Sequence, residues 1–156
     1  MKRPAVADPR TRMVQKYNIK AAEAWALGAA VVLDATPELT ECGADPLVIL
    51  GFAEEPVFAG DRAGDRKGTT TGNLAGFSLG ASVAIAEEGR KFWLDGDNDP
   101  VAGDVNQSYG IAVDGDGVWY VDGTDAVNQR VYVHDVDLDT KRYLVSVLAA
   151  NRQVAP

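Results

Sequence analysis

The chain has 156 residues, a net charge of -8 and 46% hydrophobic residues, which suits one domain with a single substantial core. Its longest uncharged apolar run, residues 24–33, has ten residues, whereas a membrane-spanning helix needs about 20. The single cysteine, Cys42, excludes an internal disulfide. We therefore expect no membrane span, synthesis in the cytoplasm and a buried, apolar role for Cys42.

The charge is distributed unevenly along the chain. Residues 1–20 carry six basic side chains and one acidic one, a net charge of +5, and the remainder carries -13. Pro4 and Pro9 disfavour a helix, so we predict an extended basic N-terminal arm over residues 1–14 and a single β domain over residues 15–156. The arm is suited to an acidic protein surface, DNA or an anionic membrane, but the acidic body disfavours the last two. The alternative is a disordered arm that only adds solubility.

The first half of the body predicts short strands separated by turns. Residues 20–35 are ambiguous, because their alanines favour a helix whereas Gly28 and the following valines favour a turn and a strand. We predict the strand. The predicted elements are a strand at 29–34, a strand at 39–42, a Gly-Ala-Asp-Pro turn at 43–46, a strand at 48–53 and a long exposed loop at 57–73.

The second half has clearer strand patterns. Apolar residues alternate from Phe77 to Ile85, as in a half-buried strand. The apolar residues change face near His134, which predicts a one-residue bulge. The other predicted elements are a strand at 90–96, a hairpin at 108–123 with Gly115 and Gly117 at positive φ, and a strand at 142–150. The two apolar faces of this last strand indicate either a central strand or one covered by a partner subunit. No internal repeat is evident.

Two motifs resemble ligand sites but lack essential residues. The stretch "GDRKGTT" has its lysine before its second glycine, unlike a phosphate-binding loop, and no helix is predicted after it. The acidic stretch "DGDNDP" resembles a calcium loop beginning at Asp95, but Pro100 and Asn106 occupy the positions that require glycine and glutamate. We predict a turn for this stretch, with a looser calcium site as the alternative.

His134 is the one histidine, and aspartates at 135, 137 and 139 follow it. A histidine with carboxylates can bind a transition metal or act as a general base. No second histidine and no nucleophile motif accompany it, so a structural role at the bulge is favoured. The three tryptophans, which fall in separate strand-like segments, are expected in the core, with an interface role as the alternative.

Residues 27–55 resemble the head decoration, or cement, proteins of tailed bacteriophages. The similarity is carried by "GAAVVLD", "ECGADP" and "VILGFAEE", which match a family pattern of the form G-x-x-V-x-L-D, ADP-x-x-I-x-G-x-A. The matched part is about a fifth of the chain and consists of turns and apolar strands. The resemblance implies an all-β fold, a small β-barrel or sandwich, and no motif of this family matches the N-terminal arm.

The resemblance also implies a function. A decoration protein is a non-enzymatic virion protein that binds the major capsid protein on the capsid exterior, commonly as a homotrimer, and stabilises the shell without a cofactor. From charge alone, the candidate capsid contacts are Arg3, Arg10, Arg12 and Lys16. The alternatives are a phage tail or baseplate adaptor protein, a metal-assisted hydrolase using His134 and, third, an arm that binds nucleic acid.

Overall fold

The computed structural model describes residues 5–6, 14–20, 23–57 and 80–154. This part of the chain is almost entirely β, with two 3-10 helices at Ala102–Asp104 and Ala149–Asn151. None of its helices is long and apolar enough to cross a membrane. The all-β prediction is confirmed. The strands are β1 (Ala5–Val6), β2 (Val14–Tyr17), β3 (Ala30–Leu33), β4 (Leu39–Glu41), β5 (Gly51–Ala53), β6 (Ala81–Ile85), β7 (Phe92–Gly96), β8 (Ser108–Val113), β9 (Trp119–Asp122), β10 (Val131–Asp137) and β11 (Arg142–Val147).

The last five strands form a closed barrel. β7 pairs with β11, β11 with β10, β10 with β8 and β8 with β9, all antiparallel. β9 returns to β7 through parallel pairs near Gly96. β1 lies antiparallel to the start of β7, opposite Phe92 and Trp93. A barrel of this size encloses a core of side chains, here including Val131, Val133 and Val145, which are fully buried.

Strands β2 to β6 form a second sheet, which precedes the barrel in the chain. β2 pairs with β6, β6 with β5, β5 with β3 and β3 with β4, all antiparallel. Just beyond β2, Ile19 forms a parallel bridge with Leu39 of β4. The N–H of Leu39 donates to the carbonyl of Asn18 (2.7 Å), and the N–H of Lys20 donates to the carbonyl of Leu39 (2.9 Å). The bridge therefore connects the two edges of this sheet.

The two sheets have the same topology. We call β2 to β6 the first unit and β7 to β11 the second unit. When the strands of each unit are numbered one to five along the chain, their order in the sheet is 1-5-4-2-3. In both units, the first strand or the residues just after it also meet the third strand in parallel. The repetition lies in the strand pairing, which the search for repeats in the sequence does not detect.

The hairpin between the second and third strands is built in the same way in both units. It has five loop residues, starting at Asp34 and at Asp114. Asp34 Oδ1 accepts hydrogen bonds from the N–H of Thr36 (2.8 Å) and Glu38 (3.2 Å). Asp114 Oδ1 accepts them from the equivalent positions, the N–H of Asp116 (2.8 Å) and of Val118 (2.9 Å). One carboxylate thus determines each turn by binding its backbone donors.

The two units share one hydrophobic core cluster. Phe52 of the first unit packs against Phe92 of the second, with ring centroids 4.8 Å apart. The C-terminal segment then returns to the first unit, where the side-chain amide of Gln153 both donates to the carbonyl of Leu33 (2.8 Å) and accepts from its N–H (2.7 Å). Packing and hydrogen bonds therefore bind the units together.

Several local predictions are confirmed. The ambiguous segment after Gly28 forms strand β3. The pairing register of β10 with β11 shifts between Val133 and Asp135, which places the bulge at His134 as expected. β11 is a central strand between β7 and β10. Cys42 is buried.

Four predictions need correction or fall at least partly outside the described residues. Strand 48–53 is shorter, because Leu47 and Val48 turn towards solvent and β5 begins at Gly51. Only Gly117 of the predicted glycine pair has positive φ (78°), since the Asp114 side chain, rather than a two-residue turn, closes this hairpin. In the predicted loop at 57–73, all but Val57 lies outside the described residues, as does the start of the alternating segment before Gly80.

Candidate functional site

The predicted capsid contacts fall mostly on residues that the structure does not describe. Arg3, Arg10 and Arg12 lie outside the described residues. Lys16 lies in β2, where its backbone pairs with Ser82 of β6. Within the predicted arm, Ala5–Val6 pairs with β7 of the second unit. The extent of the arm and the role of its four basic residues stay predictions.

His134 lies half-buried on β10 and contacts neighbouring strand residues. Its Nε2 is 2.8 Å from Ser146 Oγ, and its ring packs edge-on against Tyr132 at 4.9 Å. Burial lowers the pKa of His134, and the positive charge of Lys91 lowers it further. In the part of the chain that the structure describes, no three His, Cys, Asp or Glu side chains are grouped to hold a metal ion. The geometry places His134 in a strand-to-strand contact at the bulge.

The aspartates that resemble a calcium loop have separate partners. Asp95 is 3.4 Å from Arg142 Nε, and Asp99 is 2.7 Å from Lys141 Nζ. Asp97 Oδ1 accepts a hydrogen bond from the N–H of Gly123 (3.2 Å). These contacts link the loop after β7 to the β9 and β11 ends of the barrel, as turn and surface carboxylates commonly do.

Trp25 and Trp119 are held by side-chain hydrogen bonds as well as by packing. Trp25 and Trp119 are buried, and Trp93 is half-buried in β7. Trp119 Nε1 donates to Glu41 Oε1 (2.9 Å), which connects β9 of the second unit to β4 of the first. The pKa of Glu41 is raised, because the effect of burial exceeds the opposing effect of the indole donor. Trp119 therefore contributes to the contact between the units.

A surface cavity of about 440 Å³ lies beside the end of β6 and the C-terminal segment. Its walls combine apolar side chains, including Ile85 and Val154, with the charged Glu87 and Arg152. Gln15 of β2 also lines it, next to the predicted contact Lys16. The cavity therefore lies beside the strand that follows the predicted arm.

Two exposed apolar loop tips are not among the residues predicted from the sequence. Leu47 is 71% exposed and Val127 is 89% exposed. Each lies four residues after a glycine, Gly43 or Gly123, in the loop that joins the third strand of a unit to the fourth. The signal in the sequence is a G-x-D-x-[Leu/Val] pattern that occurs twice, 80 positions apart.

Both loop tips are held by hydrogen bonds. Asn151 Nδ2 donates to the carbonyl of Leu47 (2.8 Å). Asp125 Oδ1 accepts from the N–H of Val127 (3.0 Å) and of Asn128 (2.9 Å). These N–H groups, Asn128 first, lower the pKa of Asp125. The exposed Leu47 and Val127 side chains therefore project from backbone that hydrogen bonds hold in place.

No protein-family model matches the chain, and no curated protein matches it. The resemblance to decoration proteins stays a prediction.

Proposed function

We propose that the protein is a non-enzymatic decoration protein that binds the exterior of a tailed-phage capsid, contacts the major capsid protein and stabilises the shell as a homotrimer. The observation that carries the proposal is the fold of the segment on which the resemblance depends. Residues 27–55 contain β3, β4 and β5, three strands that are neighbours in one sheet. This is the strand-rich arrangement that the resemblance implies.

The charge distribution supports a role for the N-terminal arm in that binding. Residues 1–20 carry +5 against -13 for the remainder, so the arm is attracted to an acidic shell that would repel the body. In a trimer, three arms act together, and binding of the first raises the effective concentration of the others. Arg3, Arg10, Arg12 and Lys16 are the proposed contacts.

The first test is the copy number of the protein in purified particles of the phage that encodes it. Quantitative gel analysis against the major capsid protein should give a ratio near one to one or a simple fraction of it. A few copies per particle would instead favour the tail or baseplate adaptor. Absence from particles would overturn the proposal.

The contribution of the arm is tested with charge-neutral variants rather than with a deletion, because Ala5–Val6 pairs with β7 and its removal would change the fold. Replacing Arg3, Arg10, Arg12 and Lys16 with glutamine should weaken binding to purified capsids at low salt and reduce its salt dependence. The control is Arg152→Gln with Lys141→Gln, which removes two positive charges outside the arm. Equal capsid affinity of variant and wild type at low and high salt would contradict the proposed contacts.

A further inference from the structure

The surface cavity between the end of β6 and the C-terminal segment combines apolar walls with charges of both signs. Ile85 and Ala86 form a buried apolar wall, and the charged side chains at the cavity are Glu87, Glu88 and Arg152. Its volume of about 440 Å³ lies within the range of small-molecule sites, roughly 300–1,000 Å³. We propose that the cavity binds a free aliphatic α-amino acid, with its carboxylate on Arg152, its ammonium group on Glu87 and Glu88, and its side chain on the apolar wall. The inference goes beyond the proposed function and does not depend on it.

Arg152 provides the evidence for a carboxylate ligand. Its Nε is buried and has no hydrogen-bond partner, and none of the ion pairs in the described part of the chain includes it. Buried polar groups in proteins are normally hydrogen-bonded. A guanidinium group binds a carboxylate through two parallel N–H donors, so a carboxylate in the cavity would supply the missing acceptor.

Glu87 presents the opposite charge to the same cavity. Its Oε1 is also buried without a hydrogen-bond partner among the residues described, and Arg90 Nη2, at 3.9 Å, is too distant for a hydrogen bond. Glu88 adds an exposed carboxylate. Two carboxylates and one guanidinium group match a ligand that carries both an ammonium group and a carboxylate, whereas the two acids would repel a simple anion.

Backbone hydrogen bonds hold both parts of the cavity wall in place. Arg152 forms a parallel bridge with Ile49, and the N–H of Gln153 donates to the carbonyl of Ile49 (2.9 Å). After β6, the N–H of Ala86 donates to the carbonyl of Leu50 (2.8 Å). Both parts of the wall are therefore attached to the same short segment, and a site fixed in this way loses little conformational freedom when a ligand binds.

The first experiment measures ligand affinity by isothermal titration calorimetry of the isolated protein. Titration with L-leucine should give saturable binding of one ligand per chain. Three matched probes each lack one recognised group, since leucinamide lacks the carboxylate, 4-methylpentanoate lacks the ammonium group and glycine lacks the aliphatic side chain. Each should bind at least about tenfold more weakly, because it leaves a charged group unpaired or an apolar wall exposed to water.

Variants test the assignment of the cavity wall. Arg152→Gln should lower the affinity for leucine at least about tenfold, and Arg152→Lys should retain part of it, since lysine keeps the charge but not the paired donors. Ala149→Trp, at an exposed residue of the wall, should block binding while thermal unfolding stays close to that of wild type. The control is Lys141→Gln, which removes the same charge from an exposed site outside the cavity.

Backbone amide NMR signals show where leucine binds. The signals of Ala86, Glu87 and Gln153 should shift during titration of wild type and should not shift in Ala149→Trp. No saturable leucine binding, shifts confined to other parts of the chain, or equal affinity for leucinamide or 4-methylpentanoate would overturn the inference. Capsid binding is measured separately, so the decoration role and the amino-acid site can each fail while the other stands.

Discussion

At the scale of single residues, Asp34 has the most directly testable role. Its carboxylate accepts a hydrogen bond from the Thr36 hydroxyl (2.7 Å) and from two backbone N–H groups, and it lies 3.1 Å from Lys20 Nζ. These contacts, with the Thr36 hydroxyl first and the Glu38 N–H next, hold the pKa of Asp34 well below its usual range. The folded state thus favours the ionised form.

The lowered pKa predicts acid sensitivity. Because the folded pKa lies below the unfolded value of about 4, Asp34 stabilises the fold above about pH 4, and this contribution is lost as the pH falls towards the folded pKa. Asp34→Asn should therefore reduce the difference in unfolding free energy between pH 7 and about pH 3, measured by urea denaturation. Glu88→Gln, which removes an exposed acid elsewhere, is the control. An unchanged difference in Asp34→Asn would contradict this role.

At the scale of secondary structure, Gly51 determines how closely β5 approaches β6. A Cβ atom at this position would lie 2.1 Å from the backbone carbonyl oxygen of Ala84 and 2.9 Å from a methyl group of Val83. A backbone atom cannot move aside as a side chain can, so the two strands would have to separate. The glycine of the "VILGFAEE" segment is therefore required by strand packing.

Gly51→Ala should destabilise the protein by about 3 kcal/mol or more, because overpacking and lost strand pairing add together. Thermal and urea unfolding monitored by circular dichroism would measure the loss. Gly43→Ala is the matched control, since no atom lies within 4 Å of its added Cβ and its φ is not positive. A Gly51→Ala variant as stable as Gly43→Ala would refute the close-approach argument.

The sequence predicts elements that depend on neighbouring residues. It does not predict features that depend on contacts between residues far apart in the chain. The strand after Gly28 follows from adjacent β-branched residues, and the bulge at His134 follows from a change in apolar alternation within ten residues. The repeat was missed because it depends on which strands pair, and the parallel bridge between Ile19 and Leu39 leaves no pattern in either segment. The exposed tips could have been found, since the G-x-D-x-[Leu/Val] pattern is present twice.

At the scale of the whole molecule, the contact between the units determines whether they unfold together. Phe52 and Phe92 are fully buried against each other, and Glu41 and Trp119 form a hydrogen bond between the units. A unit of about 60 residues buries too little surface to be very stable alone. We therefore expect each unit to depend on the other, despite its complete set of strands.

This dependence predicts that a cavity at the contact destabilises both units equally. Phe52→Ala should lower the unfolding free energy by about 3–5 kcal/mol, with one transition. Trp93 and Trp119 lie in the second unit, so Trp25→Phe reports that unit by fluorescence and keeps the hydrogen bond between Trp119 and Glu41. The backbone amide NMR signals of β3 report the first unit in the same variant. The urea midpoints of the two reporters should shift together, and Leu138→Ala, at an exposed site, should shift neither. Separate midpoints in Phe52→Ala would mean that the units fold independently.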